Sequence, residues 1–158
     1  MRKEELVFEI IQNNPAIRYN DIMRKSNIKN GTLTYYLHKL ENTGKIIVER
    51  KPRVTHFFDT TISKNDTEIH KFLLQPTLRQ IITLLVHNRT LTFSEIRDSI
   101  NKSAATTSVS LNRLFRNNMI EKIYDIPSNK YSLKNCEKVS KIIIQYYQPH
   151  TDKLTMCK

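Results

Sequence analysis

The side chains suited to chemistry cluster in one stretch, IKNGTLTYYLHKLENTGKIIVERKPRVTHFF, which spans residues 28–58. Thr32, Tyr35, His38 and Lys39 fall at helical spacing. They offer hydroxyl, phenol, imidazole and ammonium groups, the types that hydrogen-bond to base edges in a major groove. Lys29 and Asn30 stand at the start of that helix, where backbone N–H groups also meet phosphate. Downstream, Arg50, Lys51 and Arg53 bracket Pro52 in a basic turn suited to phosphate or to the minor groove. The bland alternative is a solvated face. The scarcity of acid favours function, since Glu41 is the one carboxylate expected near this face. A second row, Ser103, Thr106, Thr107, Ser110, Asn112, Arg113 and Arg116, lies on a stretch with no acidic residue between 103 and 118. Val109 holds the place in it that Tyr35 holds in the first, and either meets a thymine methyl or is buried. The turn that follows is poorer, with Lys122 and Lys130 set against Glu121 and Asp125.

These rows need elements to carry them. Leu33, Leu37 and Leu40, joined by Tyr36, make one apolar helical stripe. Gly44 follows where a helix wants a left-handed ending, and KIIVERK and VTHFF read as two short strands around Lys51-Pro52-Arg53. Upstream, Leu6, Val7, Ile10 and Ile11 predict a helix over 3–13, stopped by Asn13-Asn14-Pro15. Asn20, Asp21 and Ile22 open another that ends near Ser26-Asn27. Three helices and a basic hairpin over residues 3–59 make a winged helix-turn-helix. Beyond it, Asp66 is expected to cap a bridging helix, TEIHKFLL. Pro76 suits the first turn of the next one, PTLRQIITLLVHNR. Thr92-Phe93-Ser94-Glu95 has capping-box form, and Ser103 should cap the following helix. Ile120–Tyr124 and Lys130–Leu133 predict a second hairpin.

A shift of 74 residues lays the second half on the first without a gap: Ile22 on Ile96, Leu37 on Leu111, Leu40 on Leu114, Ile46 on Ile120 and Gly44 on Asn118. We read two tandem winged helix-turn-helix domains, mainly α with small β wings (α+β), plus a C-terminal amphipathic helix. The expected divisions are a first domain at 1–61, a bridging segment at 62–75, a second domain at 76–134, a C-terminal helix at 135–148 and a tail at 149–158. Val139, Ile142, Ile143, Tyr146 and Tyr147 form the stripe of that last helix. A homodimer seam is expected there, the alternative being packing on the chain's own first helices.

Composition bounds the rest. Among 158 residues, 26 Lys and Arg stand against 15 Asp and Glu, a net charge of +11 that favours polyanionic partners. Both halves share the surplus, with 11 basic and 7 acidic residues over 1–59 and 8 and 4 over 75–133. No run is apolar and long enough to span a membrane, and the start lacks a secretory signal, so a cytoplasmic, nucleoid-associated location is expected. Cys136 and Cys157 read as lone thiols, with no spacing for zinc, and neither metal nor cofactor is expected. Two glycines in the whole chain exclude a Walker loop or a dinucleotide fingerprint, and no nucleophile elbow or Ser-His-Asp set is visible, so no enzyme is expected.

The string GTLTYYLHKLENTGKI resembles the recognition helix and wing entry of archaeal winged helix-turn-helix transcriptional regulators of the ArsR/MarR-like kind. The resemblance rests on Gly31-Thr32-Leu33, Tyr35-Tyr36-Leu37, Leu40-Glu41 and Gly44-Lys45-Ile46. QPTLRQIITLL with LTFSEI is similar to the ArsR-like opening, and the helix after the second wing lies where that family dimerises. The resemblance implies a double-stranded DNA partner and says nothing of which promoter. Two departures stand out. Metal-sensing members carry cysteines in the helix before the recognition helix, and 93–101 has none. Most members have one module per chain, whereas two are expected here, enough to span two major-groove segments about 34 Å apart. Protein–protein assembly and non-specific nucleic-acid binding are the rival readings.

Overall fold

Apolar spacing makes the first three helices and decides which face each one buries. Helix α1 (Lys3–Asn13) buries Val7, Ile10 and Ile11, α2 (Tyr19–Ser26) buries Ile22, and α3 (Asn30–Asn42) buries Leu33, Leu37 and Leu40. The computed structural model describes residues 1–147, divided into two compact units between Lys71 and Phe72. The first unit adds a three-stranded antiparallel sheet of β1 (Ile17–Arg18), β2 (Ile46–Arg50) and β3 (Thr55–Asp59), in the order β1-β3-β2. Ile17, Ile46 and Phe57 carry the sheet into the same core as the three helices. Each fully buried leucine there contributes about 1.5–3 kcal/mol of transfer free energy.

Helix ends follow local physics. Gly44 adopts φ 73°, and Asn27 does the same job at φ 55° after α2. Ala16 is the exception, a buried alanine at φ 68°. A Cβ makes that conformation costly by about 1–2 kcal/mol. Two bonds hold it: Ala16 N–H donates to the Phe57 carbonyl at 3.1 Å, and the buried His56 Nδ1 lies 2.7 Å from the Ala16 carbonyl.

The chain continues through α4 (Lys64–Leu73), whose residues fall on both sides of the division. It begins at Lys64, two residues ahead of the predicted cap Asp66, because the Asp66 N–H already closes a turn onto the Ser63 carbonyl at 3.0 Å. The second unit then runs α5 (Pro76–His87), β4 (Leu91–Thr92), α6 (Phe93–Ile100), α7 (Ala104–Arg116), β5 (Ile120–Ile123), β6 (Lys130–Leu133) and α8 (Cys136–Tyr146). Its sheet order is β4-β6-β5, and its register matches the first sheet. Leu91 opposes Tyr131 where Ile17 opposes Phe57, and Ile120 opposes Leu133 where Ile46 opposes Asp59. The architecture is mixed α+β, as winged-helix proteins are.

Helix α8 corrects an expectation. It packs on α5, and Val139, Ile142 and Ile143 are buried within the chain, so these three are spent on the chain's own core rather than offered as a homodimer seam. Tyr146 and Tyr147 are half-buried. Cys157, the tail at 149–158 and the last residue of the expected C-terminal segment lie outside the described residues. Among the described residues no helix is long and apolar enough to cross a membrane, and no group of three His, Cys, Asp or Glu side chains is placed to hold a metal ion.

Candidate nucleic-acid interface

Helix α3 is fixed at its start by α2. The Tyr19 hydroxyl lies 2.9 Å from the Asn30 carbonyl and 3.0 Å from Thr34 Oγ1, and it also meets Asn30 Oδ1. Asn30, expected to face DNA, is therefore committed to holding the helix. With the leucine stripe inward, Thr32, Tyr35 and His38 face solvent, and Tyr35 is 62% exposed. Its ring stands edge-on to that of Tyr36, with centroids 5.4 Å apart, which restricts how the phenol can project.

Two expected DNA cations are engaged elsewhere. Lys39 Nζ lies 2.7 Å from Glu4 Oε2 on α1, a carboxylate distant in sequence that was not expected near this face. The hydrogen bond between them holds the Glu4 carboxyl below its ordinary range and the Lys39 ammonium above its own. Arg50 grips Glu41 through two bonds of 2.8 Å, a bidentate clamp joining the wing to α3. That bond lowers the Glu41 pKa and raises that of Arg50. Lys51 and Arg53, at the exposed wing turn, form no ion pair among the described residues.

Cations also stand at both helix starts. Arg18 is the N-cap residue of α2 and Lys29 that of α3, and neither side chain makes a capping hydrogen bond. A hydroxyl or carboxamide at an N-cap is worth about 1 kcal/mol, and a cation there opposes the helix dipole. Sequence reasoning passed over Arg18 and Arg24, both exposed. The signal was present: at Arg18, a cation sits where a cap belongs. Asp21 holds the two together, 2.6 Å from Arg24 Nη2 and 3.6 Å from Arg18 Nε. A cleft of about 630 Å³ lies between this end of α2 and the wing turn, with Arg18, Arg24, Lys51 and Arg53 on its walls.

The second unit keeps the frame and changes the surface. Ser103 caps α7 by accepting from the Thr106 N–H at 3.1 Å, and its own hydroxyl bonds Thr106 Oγ1 at 3.0 Å. Thr107 is a correction: it is fully buried, with its hydroxyl donating to the Ser103 carbonyl at 2.9 Å, so it belongs to the core. The spacing already carried the signal, because Thr107 stands four and seven residues before Leu111 and Leu114 and 74 residues after the buried Leu33, whereas Thr106 does not. Arg113 turns toward the start of α5, bonding Gln75 Oε1 at 2.7 Å with its guanidinium 5.6 Å from the Phe72 ring centre. Ser110 is half-buried, while Asn112 and Arg116 are exposed. In the wing, Lys130 is half-buried and pairs with Asp125 at 3.5 Å. Val109, one of the two alternatives left open, is 68% exposed rather than buried. Phe115, Tyr124 and Ile126 are further large apolar side chains that this unit exposes.

A helix seated by its leucines, with a polar outer face beside a two-stranded wing, defines a winged helix-turn-helix. Residues 2–47 match the family model described as winged helix-turn-helix DNA-binding, from α1 to the start of β2. The match covers α1, α2 and α3 of the first unit and gives that unit the winged helix-turn-helix fold. No curated protein matches the chain. Among solved structures, the chain is similar to one described as a predicted DNA-binding transcriptional regulator from E. coli, at 24% identity and a TM-score of 0.49, over 55% of this chain and 90% of that one. It is also similar to the transcriptional repressor BigR from Xylella fastidiosa, at 19% identity and a TM-score of 0.48, over 58% of this chain and all of that one. HlyU from Vibrio cholerae, in its reduced form, is similar at 18% identity with a TM-score of 0.47, over 52% of this chain and 88% of that one.

Proposed function

We propose that the chain is a sequence-specific, double-stranded DNA-binding transcriptional regulator, of the archaeal ArsR/MarR-like kind that its recognition-helix string resembles, built from two tandem winged-helix modules. In this reading α3 enters the major groove with Thr32, Tyr35 and His38 toward base edges, while Lys29, Lys51 and Arg53 meet the backbone. Lys39 and Arg50 act as struts, one to α1 and one to α3, that set the angle of helix and wing. One observation carries the reading: Arg18 and Lys29 occupy N-cap positions without capping, so both starts of the helix-turn-helix forgo stability for positive charge.

The test is a salt titration of the full chain on the duplex upstream of its own reading frame and on random duplex of equal length. If six to ten cations meet phosphates, affinity falls by about 10³–10⁵ between 50 and 200 mM salt on both. Tighter binding to the upstream duplex establishes the regulator. A flat salt dependence defeats it, and equal affinities make the protein a non-specific binder.

A second reading applies to the second unit alone. Val109, Phe115, Tyr124 and Ile126 stand where the first unit has Tyr35, Glu41, Arg50 and Pro52, and all four are exposed. Such a surface suits protein–protein assembly better than a phosphate backbone. Asn112, Thr106 and Arg116 leave room for DNA contact through α7, and alanine at these three positions separates the two roles by its effect on duplex affinity.

A further inference from the structure

We propose that the cleft between α2 and the first wing is a phosphodiester-binding site, and that the chain grips the DNA backbone in this way through its first unit only. The inference rests on the DNA-binding reading above and extends it to Arg18 and Arg24, which that reading does not use. Arg18 and Arg24 form one wall, Lys51 and Arg53 the other, across a polar cleft of about 630 Å³. Asp21 is the carboxylate in it, and its two ion pairs, at 2.6 and 3.6 Å, hold both guanidiniums in place while leaving the cleft cationic. The two arginine side chains remain 61% and 73% exposed, so their remaining N–H donors are available to an incoming oxyanion.

The arrangement fits successive backbone phosphates better than one small anion, because the charges are spread over two walls rather than converged on a point. The cleft also shares Tyr19 and Thr55 with a smaller hollow of about 240 Å³ lined by His38, Glu41 and Arg50, so it runs on to the outer edge of α3. A strand flanking a groove filled by α3 would pass along it, presenting phosphates to arginines whose planar donor forks match them.

Comparison with the second unit makes the cleft a specific feature rather than a by-product of a basic chain. Seventy-four residues on, Arg18, Arg24, Lys51 and Arg53 become Thr92, Asp98, Asp125 and Pro127, and Asp21 becomes Glu95. At these five positions four cations and one carboxylate give way to three carboxylates and no cation, and the nearby Arg97 and Lys130 are taken up by Asp98 and Asp125. A phosphate strand placed there would find no such cluster of exposed cations.

The test compares full-length variants Arg18→Gln/Arg24→Gln, Lys51→Gln/Arg53→Gln and Lys122→Gln/Lys130→Gln on duplex DNA over a salt series, with circular dichroism to verify folding. Each lost phosphate contact lowers the slope of log K against log salt by about 0.9. Both first-unit variants should therefore lose nearly two units of slope, alike on upstream and random duplex, and the second-unit variant should lose almost none. A folded Arg18→Gln/Arg24→Gln protein with the wild-type slope overturns the phosphate site while leaving the regulator intact. An equal loss in Lys122→Gln/Lys130→Gln overturns its restriction to the first unit. Failure of the wild type to bind any duplex defeats the regulator reading itself. Titration with inorganic phosphate, followed by the arginine Nε–H resonances, separates the sources. Saturation by free phosphate at micromolar concentration would overturn the backbone assignment in favour of a small-anion site, whereas shifts produced by duplex alone support it.

Discussion

Arg18 and Thr92 occupy the same place in the two units, and so do Lys29 and Ser103, yet only the second member of each pair caps its helix. Thr92 closes a full capping box with Glu95, through bonds of 2.9 and 3.2 Å, and Ser103 accepts from Thr106. The contrast continues into the wings. One turn is Lys51-Pro52-Arg53, and its counterpart is Asp125-Ile126-Pro127. The clamp from Glu41 to Arg50 has Phe115 and Tyr124 in its place, both exposed. The cores do not diverge in this way: Leu37 and Leu111, Leu40 and Leu114, and Ile46 and Ile120 are all buried. Where packing decides, the two units agree. Where only solvent or a partner decides, the first is charged and uncapped, and the second is capped and exposes apolar side chains at the matching positions.

That comparison can be pressed at several strengths. The largest effect should come from the shared core. Leu40→Ala and Leu114→Ala each truncate a fully buried leucine and should cost about 2–5 kcal/mol. By calorimetry each should lower the transition of its own unit, and an equal shift of the whole profile by either variant would show that the chain unfolds as one body.

Acid should act next, and on the first unit. Burial of His70 depresses its pKa to about 4 from an ordinary 6.5, against the opposing pull of Asp66. The folded state thus favours the neutral ring. Its full stability holds above pH 6.5 and is lost as pH falls toward 4, because the unfolded chain takes the proton first. The shift corresponds to about 3 kcal/mol. A denaturant midpoint that does not change between pH 7 and 4.5 would refute this, and His70→Gln should flatten the dependence.

The smallest effect is the most informative. Arg18→Thr with Lys29→Ser installs the second unit's caps in the first. It should raise stability by about 1 kcal/mol per cap while weakening duplex binding. Gain of stability with unchanged affinity would mean that the two cations are not there for DNA. The reverse exchange, Thr92→Arg with Ser103→Lys, should cost a similar amount of stability.

Much of this was legible in the chain. The leucine spacing, the helix-ending Gly44 and Asn118 and the offset of 74 residues specify three helices and a hairpin in each half, because those features act within a few residues of themselves. The candidate interface was legible in part. Thr32, Tyr35, His38, Lys51 and Arg53 do face solvent in the first unit, as a helix and a tight turn require. Thr107 was legible too, on the i, i+4, i+7 stripe of Leu111 and Leu114, but its hydroxyl placed it with the polar face instead. The covering of the α8 stripe was not, since its amphipathic pattern is the same whether α5 or a second chain covers it.

Local physics therefore belongs to the sequence, which settles by itself which segments are helical, which faces are apolar and how charge is divided between the halves, and places most helix ends, α4 being the exception. Tertiary structure decided how those charges are used. It brought Glu4 to Lys39 across 35 positions of sequence and set Arg18 and Arg24 opposite Lys51 and Arg53 on one cleft. The physical reason is range. Helix and turn preferences act over a few residues, whereas an ion pair or a cleft depends on which segments the packed core places side by side.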